Sequence, residues 1–327
     1  MSKKTEDVSS PNIGEFEIIR QFFCSDFPSS PDTVIAIGDD ASVVTPPANT
    51  ELVQSIDTQV VDVHFPAAAP AHLIAQRALR CAVSDLAAMG ASPQGFHLAL
   101  TLPQSDVDWL KAFSDGLKQA AQQLNIALIG GDTTRGKQLV ISVAVQGWIP
   151  KNSDGSSQAL IRSGAQNGDI ICLSGPLGAA ALALPAVLKN PADTSGYAQH
   201  YYFPQVHLTL GQLLLGKATS CIDISDGLLQ DAGHIAYASN VQLQLNADAI
   251  MLADPDRPVP CLSGGDDYQL LFTLADTAES AELLTQDFAA CHGIHKIGRV
   301  VTGSGVQLSG SQDWLTDLKK NGGFTHF

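Results

Sequence analysis

The chain has 327 residues, 45% of them hydrophobic, and its 33 acidic residues against 18 basic ones give a formal net charge of −15. Without a basic excess to displace counterions, nucleic-acid binding is excluded as the main activity, and binding to an anionic membrane surface is disfavoured. The length is more typical of two domains than of one. Of the acids, 27 are Asp and 6 are Glu, which indicates caps, turns or metal sites.

The chain start and the cysteines predict a cytoplasmic protein. Residues 2–7 are polar, and the start contains no apolar signal-peptide core. The most apolar stretch, 177–188, is too short to span a bilayer and contains a proline. Six cysteines occur singly without a C-x-x-C pair, as is typical of reduced thiols in the cytoplasm.

The hydrophobic pattern predicts alternating helices and strands in both halves of the chain. Predicted helices cover 16–23, 71–89, 106–124, 178–188, 205–215, 228–238 and 278–290. Predicted strands cover 33–37, 42–45, 51–56, 96–102, 127–129, 139–149, 169–173, 220–222, 242–245, 268–274 and 297–301. The polar segment 150–164 marks the predicted boundary between domains 1–150 and 151–327, so we expect a two-domain layered α/β (α+β) fold.

Six motifs place Asp beside Gly, Ser or Thr, and several of them follow an apolar strand. They are residues 38–40, 55–58, 84–85, 130–134, 223–227 and 264–267. We therefore expect these aspartates where strands end and the backbone turns. Each motif alone could be a surface turn or a helix N-cap. Because carboxylate oxygens suit Mg²⁺, the six together predict a joint metal site.

Asp85 lies inside an apolar run, where a lone buried carboxylate would be costly. It either faces water on an ordinary helix or is compensated by a cation. Arg77 and Arg80 are alternative partners for it.

A match to the P-loop pattern at residues 131–137 is rejected. Gln138 follows it instead of Ser or Thr, and a strand is predicted next where a P-loop requires a helix. Asp132 remains a metal candidate. An acid-lined site can bind phosphates only through bridging divalent cations, which makes metal-dependent ATP chemistry a reasonable expectation.

Taken in order along the chain, the motifs resemble those of the thiamine-monophosphate kinase family, within the aminoimidazole ribonucleotide synthetase-like superfamily. They are GEF at 14–16, IGDD at 37–40, D-T-x5-HF at 57–65, SDLAAMGA at 84–91, GGDTTRG at 130–136, RSGA-x2-GD at 162–169, D-x-SDGL at 223–228 and SGGDDY-x-LLF at 263–272. The resemblance implies an N-terminal α/β domain whose sheet pairs across a homodimer, followed by a layered α/β domain.

The resemblance also implies an activity: transfer of the ATP γ-phosphoryl group to thiamine monophosphate, with several Mg²⁺ ions and no assigned catalytic base. The acceptor phosphate is already anionic at neutral pH. The implied metal ligands are Asp39, Asp40, Asp57, Asp85, Asp132, Asp223 and Asp226. The implied ATP contacts are Gly131, Asp132, Arg162 and Ser225. The implied substrate contacts are His64, Asp267 and Phe324.

Two alternative functions remain open at this point. One is a sister ATP-dependent enzyme of the same superfamily that acts on another acceptor. A selenide-activating relative would need a reactive cysteine near the start, and a hydrogenase-maturation relative would need a terminal cysteine, whereas this chain ends in Phe327. The other is a non-catalytic acidic metal-binding scaffold, although the chain has no EF-hand pattern.

Overall fold

The structure, a computed structural model, describes residues 13–311 of the chain. Its combination of sheets with covering helices confirms the predicted mixed α/β class. Within that range, none of the helices has both the length and the apolar character that crossing a membrane requires.

Two long helices and a four-stranded sheet dominate the first half. The helices are α1 (Glu15–Ile18), which continues into a π-helical turn (Ile19–Phe23), α2 (Ala71–Ala88) and α3 (Val107–Leu124). The strands are β1 (Thr33–Ile35), β2 (Val43–Val44), β3 (Thr50–Val60), β4 (Ser92–Leu102), β5 (Ala127–Arg135) and β6 (Val140–Pro150). The sheet has the order β3-β6-β4-β5, with only β4 and β5 parallel, and β1 pairs separately with β2.

The second half is built on a six-stranded sheet in the order β12-β9-β11-β7-β10-β8. Its strands are β7 (Ile170–Leu173), β8 (Ala218–Asp223), β9 (Gln242–Asn246), β10 (Leu270–Leu274), β11 (His295–Val301) and β12 (Gly305–Ser309). Its helices are α4 (Ala179–Lys189), α5 (Ala198–Tyr202), α6 (Leu208–Leu214), α7 (Leu228–Ser239), α8 (Pro258–Ser263), α9 (Ala278–Leu283) and α10 (Gln286–His292). Alternate residues of β7 pack into two different hydrophobic clusters, so both faces of this second sheet are covered.

Helix α2 lies between the two halves and is therefore buried on nearly every side. All but three of its 18 residues are buried. It contacts β3, β6 and α3 of the first half and β8, α5 and α6 of the second. A helix covered in this way has little room for a solvated face, and only His72, Arg80 and Asp85 are not buried. The predicted stop at Gly90 is confirmed, because this residue has φ 76°, in the left-handed region that favours glycine after a helix.

The core of the first half crosses the predicted domain boundary. Tyr201, Tyr202 and Val187 pack into the same cluster as α2 and α3. The two sheets nevertheless fall on opposite sides of residue 150. The division into 1–150 and 151–327 stays a prediction.

The differences from the predicted elements have local causes. Helices α5 and α8 and strand β12 were not predicted, because segments of 5 or 6 residues are too short to show a period. The predicted helix 278–290 is two helices, since Thr285 adopts ψ 146° and interrupts it. Strands β3 and β5 run beyond the predicted ends because polar residues continue both edge strands.

Candidate active site

Three of the implied metal ligands, Asp57, Asp85 and Asp223, meet along the seam between the two halves, and we call them the seam carboxylates. Asp57 lies in β3, Asp85 in the last turn of α2, and Asp223 at the end of β8. The Ser55 hydroxyl donates a hydrogen bond to Asp85. The Ser84 hydroxyl donates to Asp223 Oδ2 at 2.6 Å. Two serines thus orient two carboxylates that belong to different halves of the chain.

Two of the seam carboxylates, Asp85 and Asp223, carry negative charge that the protein does not fully compensate. Asp223 is 6% exposed, and burial together with the charge of Asp85 raises the pKa of Asp223 to about 7. Burial also raises the pKa of Asp85, and the charge of Asp57 adds to this effect. The Ser55 hydrogen bond and the Arg162 guanidinium offset only part of the pKa increase of Asp85. Buried like charges of this kind are typical of functional sites and favour cation binding.

Asp226 lies on the loop that follows β8, and the start of α7 shapes this loop. One oxygen of the buried Asp231 carboxylate accepts from the Asp226 amide at 3.1 Å and the Gly227 amide at 3.2 Å. Burial raises the pKa of Asp231 to about 6. Ligand atoms of Asp226, Asp231 and His234 lie within 4.8 Å of one another. Asp231 therefore places Asp226 within an oxygen- and nitrogen-rich group next to the seam.

The remaining implied metal ligands, Asp39, Asp40 and Asp132, lie elsewhere, and we call them the cleft carboxylates. They are exposed and line a cleft of about 530 Å³ beside the edge strand β5. Gly131 also lines this cleft. A Cβ at Gly131 would lie 2.1 Å from the carbonyl oxygen of Leu98, so only glycine fits at this point of the sheet.

Strand register explains why the two groups do not converge. Asp57 aligns across β6 and β4 with Gly131, whereas Asp132 aligns with Thr58. Because successive side chains of a strand point to opposite faces, Asp57 and Asp132 lie on different faces of the sheet. Three strand spacings also separate them, about 14 Å. Within one chain, the carboxylates expected to form a joint site lie in two groups.

The expected position of the aspartates at strand ends is correct for Asp223 and wrong for two others. Asp57 and Asp132 lie inside β3 and β5. Both are edge strands, where polar side chains are tolerated within the strand. The rejection of a P-loop at 131–137 is confirmed, because the segment lies in β5 and leads into β6 without a helix.

Neither arginine predicted as a partner of Asp85 pairs with it. Arg77 pairs with Asp266 at 2.7 Å, and Arg80 donates to glutamines of α2 and α3. The positive charge that acts on Asp85 comes from Arg162, which is exposed on the segment before β7.

Two further predicted contact residues are exposed or partly exposed, and one lies outside the described residues. Ser225 is exposed, and its carbonyl oxygen accepts from the Asp266 amide at 2.8 Å. His64 is half-buried, and its Nδ1 accepts from the Val60 amide at 3.0 Å. Phe324 lies outside the part of the chain that the structure describes.

The Asp267 carboxylate is directed to the start of helix α4. It is 8% exposed, and both of its oxygens lie 2.8 Å from the Gly178 amide that donates to them. Burial raises the pKa of Asp267 to about 8. Its side chain therefore caps α4 in this structure, where the amides of the first turn lack partners within the helix.

Sequence reasoning missed the groups that support the carboxylates. Ser55 and Ser84 stand inside the Asp motifs, whose pattern points to the aspartates alone as ligands. Asp231 follows Asp226 by five residues and carried no separate signal. The serine near a candidate ligand in two of these motifs is the sequence feature that indicates a hydroxyl bound to a carboxylate.

The chain is similar in sequence to known proteins. Residues 38–149 match the family described as AIR synthase related protein, N-terminal domain. A thiamine-monophosphate kinase of Salmonella typhimurium is 41% identical over 283 residues, which cover 82% of this chain and 85% of that protein.

Solved structures extend the likeness to three dimensions. The crystal structure of thiamine-monophosphate kinase from Stenotrophomonas maltophilia has a TM-score of 0.76 and 39% identity, covering 85% of this chain and 92% of that one. AaThiL complexed with AMPPCP and TMP has a TM-score of 0.72 and 26% identity, covering 89% and 92% respectively. With a 41% identical relative that it matches over most of both lengths, the chain belongs to the thiamine-monophosphate kinase family.

Proposed function

We propose that this protein transfers the γ-phosphoryl group of ATP to the phosphate of thiamine monophosphate, which yields thiamine diphosphate and ADP. Family membership supports the reaction, and a relative has been obtained in complex with AMPPCP and TMP. The observation that carries the proposal is the seam, where three carboxylates gather between the two halves and the pKa values of Asp85 and Asp223 are raised. Such a group suits phosphoryl transfer, which depends on positioning and on charge neutralisation.

The donor set of the seam fits Mg²⁺. Asp57, Asp85 and Asp223 offer only carboxylate oxygens, which this ion prefers, and the charges of Asp85 and Asp223 lack full compensation within the protein. We assign Mg²⁺ binding to these three and to Asp226, and nucleotide-side Mg²⁺ binding to the cleft carboxylates. When bound, the ions would neutralise phosphate charge and reduce the repulsion between two polyanions.

The protein's own residues orient the seam carboxylates, and none of them is needed to take a proton from the substrate. The Ser84 and Ser55 hydroxyls hold two seam carboxylates in place. A phosphate monoester has a second pKa near 6, so the attacking oxygen is anionic at neutral pH and needs no strong base. The His64 Nδ1 accepts a backbone hydrogen bond, which agrees with a positioning role rather than proton abstraction.

The nucleotide and the acceptor are assigned to different groups of residues. We assign ATP contacts to Gly131, Asp132, Arg162 and Ser225, and the cleft of about 530 Å³ is of the size of small-molecule sites. His64, Phe324 and the 264–267 loop are assigned to thiamine monophosphate. Asp267 enters this assignment through its place on the loop, since its carboxylate binds the start of α4.

We also propose that the protein is a homodimer whose first sheets pair. The edge strand β3 spans 11 residues, and its outward side chain Ile56 is 67% exposed. Leu52 on the same face and Val34 on β1 are exposed as well. A long edge strand with apolar side chains is a template for pairing with another chain.

The six cysteines are free thiols, which supports the proposed location in the cytoplasm.

The reaction is tested with purified protein, ATP, Mg²⁺ and thiamine monophosphate, followed by chromatography of the thiamine esters. We expect thiamine diphosphate and ADP in equal amounts, and no product when a chelator removes the metal. Free thiamine as the acceptor serves as a specificity control. Absence of thiamine diphosphate above the chelated control would refute the proposal.

The dimer is tested by light scattering during size-exclusion chromatography. We expect the mass of two chains for the wild type and a shift towards one chain for Ile56→Glu, which places a charge on the exposed face of β3. Leu188→Glu on α4 is the matched control, since Leu188 is similarly exposed, at 62%, but far along the chain from that sheet. A monomeric wild type would contradict the proposed dimer.

A further inference from the structure

Arg77 is a buried cation in the middle of α2 whose partners lie in the second half. It is 2% exposed, and its Nη2 pairs with Asp266 Oδ1 at 2.7 Å. Its Nη1 donates to the Tyr201 carbonyl oxygen at 2.9 Å, and the guanidinium lies 4.2 Å from the centroid of the Tyr201 ring. Among the described residues its Nε finds no partner. Burying an arginine in this way is costly, so its partners indicate what it supports.

The loop that Arg77 holds has an unusual backbone. Asp266 has φ 67° and Tyr268 has φ 52°, in the left-handed region that non-glycine residues seldom adopt. The Tyr268 hydroxyl donates to Asp266 Oδ1 at 3.2 Å, the same oxygen that Arg77 binds. Strained backbone of this kind persists only where the surroundings enforce it, and it is concentrated at functional sites.

The held loop is hydrogen-bonded directly to residues 223–227, the loop that carries the proposed metal ligands of the second half. The Asp266 amide donates to the Ser225 carbonyl oxygen at 2.8 Å, and the Tyr268 amide donates to that of Ile224 at 2.7 Å. Backbone hydrogen bonds therefore connect the residue that Arg77 binds to the 223–227 loop.

Helix α2 holds the same region at a second point. Ser84 follows Arg77 by seven residues and so lies on the same face of the helix, and its hydroxyl binds Asp223 at 2.6 Å. Asp85, the seam carboxylate of α2, is the next residue. Neighbouring side chains of the helix thus provide the Asp85 carboxylate and hold the facing loop that contains Asp223.

We propose that Arg77 is a positioning residue of the phosphoryl-transfer site: by holding the 264–268 loop it keeps Asp223 and Asp226 aligned with Asp85. The inference rests on the proposed kinase function, but it concerns a side chain whose hydrogen bonds go to Asp266 and Tyr201 rather than to the reacting groups.

The test compares Arg77→Met and Arg77→Lys with Arg80→Met, a matched control on the same helix whose partners are glutamines of α2 and α3. The measured quantities are the Mn²⁺ dissociation constant by titration calorimetry, kcat, and KM for ATP. For Arg77→Met we expect Mn²⁺ binding about 10-fold weaker and kcat about 10-fold lower, with KM changed less. Arg77→Lys should recover part of both, because it keeps the charge without the two-pronged geometry. Arg80→Met should match the wild type.

A purely structural role has a different signature. An Arg77→Met protein that melts at a lower temperature, yet binds Mn²⁺ and turns over like the wild type while folded, overturns the proposal. Should Arg77→Met not fold, Asp266→Asn tests the same contact from the half-buried loop, and normal Mn²⁺ binding by that variant also overturns it.

The double variant tests the role of Arg77, and the activity of the wild type tests the proposed kinase function. Arg77→Met with Asp266→Asn should be no worse than Arg77→Met alone, because both remove one interaction. Additive losses contradict the proposal. A wild type without kinase activity would refute the proposed function, while the Mn²⁺ dissociation constants would still decide the role of Arg77.

Discussion

The seam and cleft carboxylates arise from the same kind of motif, yet their surroundings are opposite. Asp223 is buried, accepts from the Ser84 hydroxyl and has a pKa raised to about 7. Asp40 and Asp132 are exposed beside an open cleft. Buried charges of the same sign destabilise the folded protein until a cation binds to them, whereas exposed charges are solvated by water. A small-residue context therefore identifies a candidate ligand but not its effect on stability.

The largest expected effects come from Asp223→Asn and Asp132→Asn, one from each group. Both should lower kcat by about 10²–10³-fold, because Asp223 is a proposed ligand at the reacting phosphates and Asp132 a proposed ligand of the nucleotide-side Mg²⁺. Without metal, Asp223→Asn should melt at the same or a higher temperature, since a repulsive buried charge is gone. Asp132→Asn should melt like the wild type.

The measurements are steady-state kinetics and thermal melts in the presence of a chelator. Asp115→Asn on the exposed surface of α3 is the control and should change neither quantity. If Asp223→Asn simply unfolds, its carboxylate has a structural role and the contrast between the two groups fails.

Support by serine hydroxyls should also differ between the groups. Ser84→Ala removes the hydroxyl that orients Asp223 and should weaken Mn²⁺ binding by about 10- to 100-fold. Ser42→Ala removes a hydroxyl that bonds His97 beside the cleft, and it should change Mn²⁺ binding by less than about threefold. Calorimetric titration of both variants measures this difference, and equal losses of Mn²⁺ affinity would contradict it.

The pH dependence of stability provides a smaller effect of defined sign. Burial raises the folded-state pKa of Asp223 to about 7 and that of Asp231 to about 6, above the usual 3.8. The stability that protonation contributes is complete below about pH 4 and is lost as the pH rises through 6 and 7.

We therefore expect the melting temperature of the metal-free protein to fall from about pH 5 to about pH 8. Mg²⁺ should restore it more at the higher pH, because the ligands must be deprotonated. Asp223→Asn should flatten the profile, and Asp132→Asn should leave it unchanged. A metal-free protein that becomes more stable over this range would contradict the assignment.

The smallest expected effect belongs to Asp267, which lies in neither group. Asp267→Asn keeps one oxygen for the Gly178 amide, so we expect a loss of about 2–4 °C in melting temperature. KM for thiamine monophosphate should change by less than about twofold, because the carboxylate is directed to α4. Kinetics and melts of this variant check both, and a large rise in KM would show direct substrate contact.

Much of the fold could be predicted from the sequence because its long elements have clear signals. The apolar pattern of α2 and its stop at Gly90 located that helix to within a residue. The edge strands β3 and β5 were predicted too short, since Asp57 and Asp132 are typical of turns and yet continue a strand. Short helices such as α5 have no period to detect.

The candidate ligands could be predicted, but their grouping could not. Which face Asp57 or Asp132 occupies depends on strand register across β6 and β4, and single motifs carry no register. The pairing of Arg77 with Asp266 joins residues that are 189 positions apart. Only the packed arrangement of both halves around α2 brings such residues together.

The central claim is that the seam carboxylates hold the divalent cations used in phosphoryl transfer to thiamine monophosphate. The most direct measurement is the anomalous scattering of Mn²⁺ in crystals grown with a non-hydrolysable ATP analogue and thiamine monophosphate. The account predicts Mn²⁺ peaks bound by Asp85 and Asp223, with the two substrates in contact with them. Mn²⁺ confined to exposed acidic residues, with an empty seam, would contradict it.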